Sequence, residues 1–413
     1  MSLPDSLCID LGASFTKVAY RPAPDATTHL LTDGDLRDEH HFCIPSVAAR
    51  SVERDAWVFG PDAVELRPGP RVEVFQNWKA DLFASGEDGV DFSMLDDTSA
   101  EVRQLLLQRV PSLRALDIAQ RYLRWLHDTQ IPRMLGHERF REAEVQLCVP
   151  DFVLDSPLAH RLDRMLASIG FKNDGAYTLS EPKANLIGVL TEGRNPRTAS
   201  GFPNLGAMFG DAEVPRQLAQ PDQAILIVDI GAFTTDLALA SFAHHAGDAF
   251  DDDPAMSTRL GVRLLDAWVL EGAPADARER VVQGSADDAH TFRVTVHGDG
   301  PRPARPEAYG LSAGQVDAAV GRFTGSILQA IDTFLAGEER AAVHAVVLTG
   351  GGANIRGVSN RLAQALAERG TTMLHAPTST DAPGQVRKYA LGPELVRGAS
   401  AVGGCSILYR ALG

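Results

Sequence analysis

The stretch that decides the fold is residues 227–239, IVDIGAFTTDLAL, in which an apolar run ends in aspartate, an aliphatic residue and glycine. A second stretch, residues 8–20, reads CIDLGASFTKVAY and aligns with the first without a gap. Both have aspartate, an aliphatic residue, glycine, alanine, two variable residues and threonine, then Lys or Asp, an aliphatic residue and alanine. The chain therefore contains an internal repeat, which predicts two similarly folded halves.

The composition is that of a globular protein with a large core. The chain has 413 residues, of which 44% are hydrophobic and 23% charged, and roughly 100–200 residues per domain predicts two or three domains. The cysteines lack C-x-x-C spacing and nearby histidines, so we interpret them as reduced core residues rather than a metal or redox site. They are Cys8, Cys43, Cys148 and Cys405.

The net charge disfavours several classes of partner. A formal charge of −15 disfavours a sequence-independent contact with nucleic acid or an anionic membrane surface. Residues 1–7 lack the basic and apolar regions of a signal peptide, and no apolar run reaches the roughly 18 residues of a transmembrane helix. We therefore expect a cytoplasmic protein with no direct nucleic acid partner and no transmembrane segment.

Short β-rich runs alternate with helical segments, a pattern typical of α/β sheets covered by helices. A long helix is predicted at about 115–135, and another follows Pro150 and ends at Gly170. Strands are predicted at residues 7–10, 145–149, 224–229 and 345–348.

Three regions break this regularity. Residues 201–223 form either a linker or a partner-docking loop, because they are rich in Gly, Pro and apolar residues. Residues 244–256, with the acidic segment 248–253, are interpreted as a solvated hairpin or crossover. Residues 297–310 form a Pro/Gly-rich connection that closes a small subdomain.

The two Asp-x-Gly turns suit phosphate and magnesium. Glycine lets the backbone approach an anion, and successive amides and hydroxyls then donate to phosphate oxygens. The carboxylate repels phosphate and therefore suits Mg²⁺, usually through water. Either turn alone is equally compatible with a tight β-turn and a capping aspartate, and it is the repeat that favours the phosphate interpretation.

Two further motifs surround these turns. In AVVLTGGGANIRGVSNRLAQAL, residues 345–366, three glycines between a strand and a helix leave room for a base or ribose, or else allow close helix–strand packing. In TLSEPKANLIGVL, residues 178–190, Glu181 follows a strand and Pro182 begins a helix. An acid there can orient a water that attacks a γ-phosphate, although it is also an ordinary acid before an N1 proline.

Together these motifs resemble the actin, Hsp70 and sugar-kinase ATPase superfamily. DLGASFTK resembles its first phosphate motif, DIGAFTTD its second and LTGGGAN its adenosine motif, while LSEPKAN and the terminal LVRGASAVGGCSILYRAL resemble its two connecting segments. The resemblance implies an α/β fold of two similar lobes, each a mixed sheet covered by helices with small inserted subdomains, and ATP or ADP with Mg²⁺ in the cleft between them.

The resemblance also implies domain boundaries. Lobe I would span residues 1–180, with an inserted subdomain at about 42–110. Lobe II would span 181–395, with a small subdomain at about 263–310. Residues 396–413 would form a C-terminal helix that returns to lobe I.

Individual roles follow from the same resemblance. Asp10 and Asp229 would hold magnesium through water, and Glu181 would position the hydrolytic water. Residues of the two turns would bind phosphate: Gly12, Ala13, Ser14, Phe15, Thr16, Lys17, Gly231, Ala232, Phe233, Thr234 and Thr235. The adenosine would lie against Gly350, Gly351, Gly352 and Asn354. In many members of the superfamily the second phosphate motif is richer in glycine, whereas here Ala232 and Phe233 follow Gly231.

The chain shares features with two branches of the superfamily. Lys17 is similar to the phosphate-contacting lysine of actins, whereas FCIPSVAAR, VFQNWKADL and RLGVRLLDAWVL resemble Hsp70 segments. Lys79 matches the Hsp70 catalytic lysine or is a solvated helix lysine, and Arg280 weakly resembles an Hsp70 adenine contact. The chain stops after the last ATPase segment, with no β-rich peptide-binding domain, so a complete Hsp70 is not expected.

Two functions remain in competition. The first is an ATPase similar to bacterial actin-related proteins, which self-associates into filaments because a head-to-tail contact between identical lobes does not close. The second is an Hsp70-like ATPase that docks protein partners according to its nucleotide. A small-molecule kinase is disfavoured because no sugar-binding acid motif is evident.

Overall fold

A computed structural model provides the structure of the chain. It describes residues 5–22, 28–36, 41–84, 99, 112–192, 223–241, 254–298, 303–337, 342–375 and 393–405. The predicted loop at 201–223, except its last residue, and the acidic segment 248–253 lie outside the described residues.

The strands are short, and the central ones are buried. They are β1 Ser6–Leu11, β2 Phe15–Arg21, β3 His29–Leu30, β4 Ile44–Pro45, β5 Ala48–Ser51, β6 Ala56–Phe59, β7 Val72–Phe75, β8 Glu144–Val149, β9 Thr178–Ser180, β10 Gln223–Ile230, β11 Thr235–Ser241, β12 Ala255–Thr258, β13 Ala342–Thr349 and β14 Thr372–His375. All four predicted strands are present, and they are longer than predicted by one to four residues.

The helices lie between and around these strands. They are α1 Pro61–Val64, α2 Trp78–Ala84, α3 Ser112–Trp125, α4 Ile131–Leu135, α5 Pro157–Ile169, α6 Glu181–Glu192, α7 Val262–Glu271, α8 Ala275–Val282, α9 Ala286–His297, α10 Ala313–Ala336, α11 Arg356–Glu368 and α12 Pro393–Gly404. A π-helical turn, Leu126–Gln130, joins α3 to α4, so the predicted long helix is continuous. The left-handed Gly170 ends α5, as predicted, and the side chain of Ser156 caps its first turn.

Two sheets of the described chain repeat one topology. One has the strand order β3-β2-β1-β8-β9, with β4 also paired to β2, and the other has the order β12-β11-β10-β13-β14. In each sheet the central strand pairs antiparallel with the strand that follows it in sequence: β1 with β2, and β10 with β11. On its other side it pairs parallel with a later strand, β1 with β8 and β10 with β13. The internal repeat is therefore a repeat of fold, and the expected α/β architecture of two similar lobes is confirmed.

Each sheet carries its own apolar core. Because helices cover the central strands on both faces, β10 is a nearly continuous apolar run instead of an alternating one. Its cluster includes Leu226, Trp268 and Phe323, whereas the cluster of the first sheet includes Leu7 and Trp78. The strands β6, β5 and β7 form a separate small sheet. The domain boundaries expected from the sequence remain predictions.

Helices α6 and α12 cross at glycines between the two sheets. A Cβ on Gly188 would lie 2.0 Å from the backbone oxygen of Ala399, and one on Gly403 would lie 1.7 Å from that of Ala184. These distances are far below contact, so only glycine permits the crossing. Helix α12 packs against β1. The return of residues 396–413 to lobe I stays a prediction, and residues 406–413 lie outside the described part.

The four cysteines are buried and unoxidised, as predicted. Cys8 and Cys148 lie on the adjacent strands β1 and β8, with their Sγ atoms 3.5 Å apart. Burial raises the pKa of both thiols. Among the described residues, no helix combines the length and the apolarity needed to cross a membrane.

Candidate nucleotide site between the two sheets

The first hairpin brings an aspartate and a lysine together. The register of β1 and β2 places Asp10 opposite Lys17, and the ammonium lies 3.0 Å from the carboxylate Oδ2. The second carboxylate oxygen, Oδ1, is buried without a hydrogen-bond partner among the described residues. An orphaned carboxylate oxygen beside a phosphate-type turn fits a hydrated cation.

The turn of the first hairpin is tightly built. A Cβ on Gly12 would lie 2.1 Å from the backbone oxygen of Phe15, so glycine is required there. The Ser46 hydroxyl donates to the Gly12 carbonyl at 2.6 Å and lies 2.9 Å from the Thr16 hydroxyl. The Ser14 hydroxyl is buried and has no partner in the described chain, which leaves it available to a phosphate.

The second hairpin repeats the register with different chemistry. Asp229 lies opposite Asp236, and the amide of Gly231 donates to the Thr234 carbonyl at 2.8 Å to close the turn. The Thr234 hydroxyl donates to Asp236 Oδ2 at 3.1 Å. Thr235 is buried, and its hydroxyl donates to the Leu260 carbonyl, so its side chain serves the fold.

The bulky residue of the second turn lies in the core of the other sheet. Phe233 is 8% exposed and belongs to the same apolar cluster as Ala13 of the first turn, with Ala232 packed against that cluster. The ring therefore contributes to the apolar core of the first sheet, although Phe233 lies in the turn of the second. Its place in the phosphate-binding set remains a prediction that rests on the backbone of the turn.

Glu181 and Lys79 form a buried ion pair. Glu181 is the first residue of α6, and its Oε2 lies 3.5 Å from the ammonium of Lys79, which is 3% exposed. The interpretation of Lys79 as a solvated helix lysine is therefore wrong. Burial raises the pKa of Glu181, and the charge of Lys79 opposes that rise.

Acidic side chains of both hairpins act on one another. Burial and the charge of Glu181 raise the pKa of Asp229 to about 7. Burial and the charges of Glu181 and Asp229 raise the pKa of Asp236 well above its usual range. Asp10 also contributes to the rise at Glu181. The structure thus brings the predicted residues Asp10, Asp229 and Glu181 into one acidic cluster.

The charges of this cluster do not balance. With Asp236, the cluster has four carboxylates, and the neighbouring cations are the ammonium groups of Lys17 and Lys79. Negative charge is therefore in excess when all these groups are ionised. A divalent cation would offset that excess and lower the raised pKa values. No group of three or more His, Cys, Asp or Glu side chains in the described ranges could hold a metal directly. Binding of Mg²⁺ through water stays a prediction for Asp10 and Asp229.

An asparagine that the sequence analysis missed ties the cluster to three elements. Asn185 on α6 donates to Asp229 Oδ2 at 2.5 Å and to the Ser400 hydroxyl at 3.2 Å. It accepts from the Thr349 hydroxyl at 3.2 Å. Asn185 was visible in the LSEPKAN motif, but only the fold shows which carboxylate it orients. Asp236, the last residue of DIGAFTTD, was likewise not among the predicted site residues.

The three glycines of the adenosine motif differ in their surroundings. A Cβ on Gly350, whose φ is 82°, would lie 2.1 Å from Asp229 Oδ1. A Cβ on Gly352 would lie 2.3 Å from the Ile230 side chain, whereas nothing lies within 4 Å at Gly351. Close packing thus explains Gly350 and Gly352. Gly351 and the half-buried Asn354 leave open surface for a ligand.

Arg280 lies on α8 and is exposed. Its guanidinium carbon lies 5.6 Å from the centre of the Tyr309 ring, a cation–π distance. A contact between Arg280 and adenine remains a prediction.

Comparison with solved structures supports the architecture. No protein-family model matches the chain, and no curated protein matches it in sequence. The chain is similar to the crystal structure of MreB 5 of Spiroplasma citri bound to AMPPNP, with a TM-score of 0.53 and 14% identity over 97% of this chain and 94% of that one. The chain therefore has an actin-like fold.

Proposed function

We propose that the chain binds ATP with Mg²⁺ between its two sheets, hydrolyses it and assembles into filaments. The observation that carries the proposal is the acidic cluster formed by two hairpins of identical register. The MreB 5 structure to which the chain is similar holds AMPPNP, a nucleotide of this class. ATP is the substrate, and Mg²⁺ would supply charge neutralisation for its phosphates.

The residues divide into three tasks. Asp10 and Asp229 would hold magnesium through water, while Lys17 and the Ser14 hydroxyl would donate to phosphate. Glu181 would orient the attacking water, and Lys79 favours the ionised carboxylate that accepts a proton from that water. The open backbone at Gly351 and Asn354 would lie against the adenosine.

Filament assembly follows from the symmetry of contact. When identical chains meet head to tail, the head of one chain binds the tail of the next. One free head and one free tail are always left at the ends, so further chains can add. Hydrolysis would then weaken the filament by changing the cleft. The experiment is sedimentation of the pure protein with and without ATP and Mg²⁺, with electron microscopy of the pellet. We expect nucleotide-dependent filaments, and no sedimentation at any soluble concentration would refute assembly.

One observation favours a second function. Lys79 is buried beside Glu181, a place that suits the match to the Hsp70 catalytic lysine that the sequence suggested. An Hsp70-like switch would stay monomeric and hydrolyse ATP fastest with a protein partner. Persistent monomers that hydrolyse ATP would therefore support this second function over filament assembly.

A further inference from the structure

A chain of hydrogen bonds crosses between the two sheets beside the acidic cluster. It begins at Asp236, whose Oδ1 accepts from the hydroxyl of Ser257 on the neighbouring strand β12. The hydroxyl of Ser257 in turn accepts from the backbone amide of Asp151, at 2.8 Å. Asp151 follows β8 of the first sheet, so Ser257 joins the second sheet to the first.

The chain continues to the residue beside Glu181. The Ser180 hydroxyl donates to the Asp151 carboxylate at 2.8 Å, and Ser180 immediately precedes Glu181. At its other end, Asp236 also accepts from Thr234 in the second turn. Hydrogen bonds across the gap between the sheets therefore connect the second turn to Ser180, the residue before Glu181.

The direction of the bond between Asp151 and Ser257 is fixed by the backbone amide. The amide of Asp151 can only donate, so the Ser257 oxygen accepts, and its single proton points to Asp236. A cation–π contact runs alongside, because the guanidinium carbon of Arg259 lies 4.6 Å from the centre of the Phe152 ring. Both contacts join residues at or just after β12 to residues that follow β8.

We propose that Ser257 is a positioning residue that holds the two sheets in the hydrolysing arrangement and aligns Glu181 with the second turn. This proposal rests on the proposed ATPase function. Ser257 lies outside the set of residues proposed to contact the nucleotide and the attacking water. It acts through Asp151 and Ser180, and it would matter most for the rate of hydrolysis in the closed cleft.

The test uses three variants of the full chain. Ser257→Ala removes the hydroxyl, and Ser257→Thr keeps it on a strand that accepts β-branched residues. Thr258→Ala is the matched control, because the Thr258 hydroxyl donates to the Thr235 carbonyl within the second sheet. The readouts are kcat, KM for ATP with Mg²⁺, and hydrogen exchange of the Asp151 amide.

We expect Ser257→Ala to lower kcat roughly tenfold, as the loss of one aligning hydrogen bond does, with KM changed less than about threefold. Exchange at the Asp151 amide should rise selectively, and Ser257→Thr should restore both values. Thr258→Ala should match the wild type in both. A folded Ser257→Ala with wild-type kcat and unchanged exchange would overturn the proposal.

The outcomes also separate this proposal from the function on which it rests. A wild-type protein that neither binds nor hydrolyses ATP would refute the ATPase. Amide exchange then decides whether Ser257 still joins the sheets: unchanged exchange in Ser257→Ala refutes the connection, and faster exchange supports it. A rise in KM equal to the fall in kcat would contradict a role confined to positioning.

Discussion

The two hairpins have the same backbone register but carry different charges. In the first, Lys17 lies opposite Asp10 and pairs with it. In the second, Asp236 occupies the place of the lysine opposite Asp229, and the pKa values of both acids are raised. The repeat thus preserved the fold, while one residue in each half made the first turn nearly neutral and the second acidic.

The difference teaches that each half depends on a different counterion. In the first hairpin, Lys17 supplies the positive charge that balances Asp10. The second hairpin has no such lysine, so a cation from elsewhere, such as Mg²⁺, would have to balance Asp229 and Asp236. If both hairpins belong to one site, loss of the Asp229 carboxylate should abolish both the requirement for Mg²⁺ and the activity. The following predictions test that division, beginning with the largest effect.

Glu181 lies between the charges of both hairpins, so its loss should have the largest effect. Glu181→Gln should keep ATP binding and lower hydrolysis by roughly 10²–10³-fold, the range for one catalytic group. Single-turnover hydrolysis and equilibrium binding measure the two effects. Glu142→Gln, which alters an exposed acid, is the control, and equal loss of binding and rate would contradict a role in water positioning.

Asp10→Asn and Asp229→Asn should separate the two halves. Both should lower Mg²⁺-dependent turnover by about 10²-fold. Only Asp10→Asn should also destabilise the fold, by about 1–3 kcal/mol, because it deprives Lys17 of its partner. Thermal unfolding and a Mg²⁺ titration measure these effects, with the exposed Asp332 changed to Asn as control. Equal destabilisation by both variants would erase the proposed difference.

Lys17→Met should weaken binding of ATP with Mg²⁺ about tenfold, since one charge-assisted bond to phosphate is lost. Its effect on adenosine affinity should be small, because the contact is to phosphate. Calorimetric titration with ATP and with adenosine distinguishes the two. Lys172→Met removes an exposed lysine of the first sheet's surface and should leave both affinities unchanged.

The smallest effect concerns pH. The pKa of Asp229 is about 7 in the folded protein and about 3.9 in an unfolded chain, so the folded state binds the proton more tightly. The stability this gives is present below about pH 4 and is lost as pH rises through about 7. Relative to the wild type, nucleotide-free Asp229→Asn should therefore gain Tm over this range. A Tm difference that is constant with pH would show that the pKa of Asp229 is not raised in the folded protein.

Local signals predicted most of the fold. The apolar run before each aspartate gave the central strands, Pro182 and Gly170 marked helix ends, and the repeat predicted the paired sheets. These features depend on neighbouring residues, which the sequence contains. The same reasoning brought Asp10, Asp229 and Glu181 to one place, because strand ends of similar sheets meet at a common edge.

Tertiary contacts account for what the sequence could not predict. Asn185 reaches Asp229 only because α6 lies between the sheets, and Phe233 enters an apolar cluster made by residues distant in sequence. The burial of Lys79 likewise depends on where α2 packs. At Gly350 and Gly352 an added Cβ would meet Asp229, Ile230 or Val262. Close packing therefore explains these two glycines, and their contact with adenosine stays a prediction.

The burial of every cysteine has a practical consequence for studying assembly. All four thiols of the sequence are inside the molecule, and those of Cys8 and Cys148 resist ionisation, so thiol-reactive dyes should react slowly with the native protein. A single cysteine engineered at an exposed position such as Asp62 or Glu307 would then be the one fast-reacting group. Fluorescent subunits could thus be prepared without removing any natural cysteine, which keeps the interior intact for imaging.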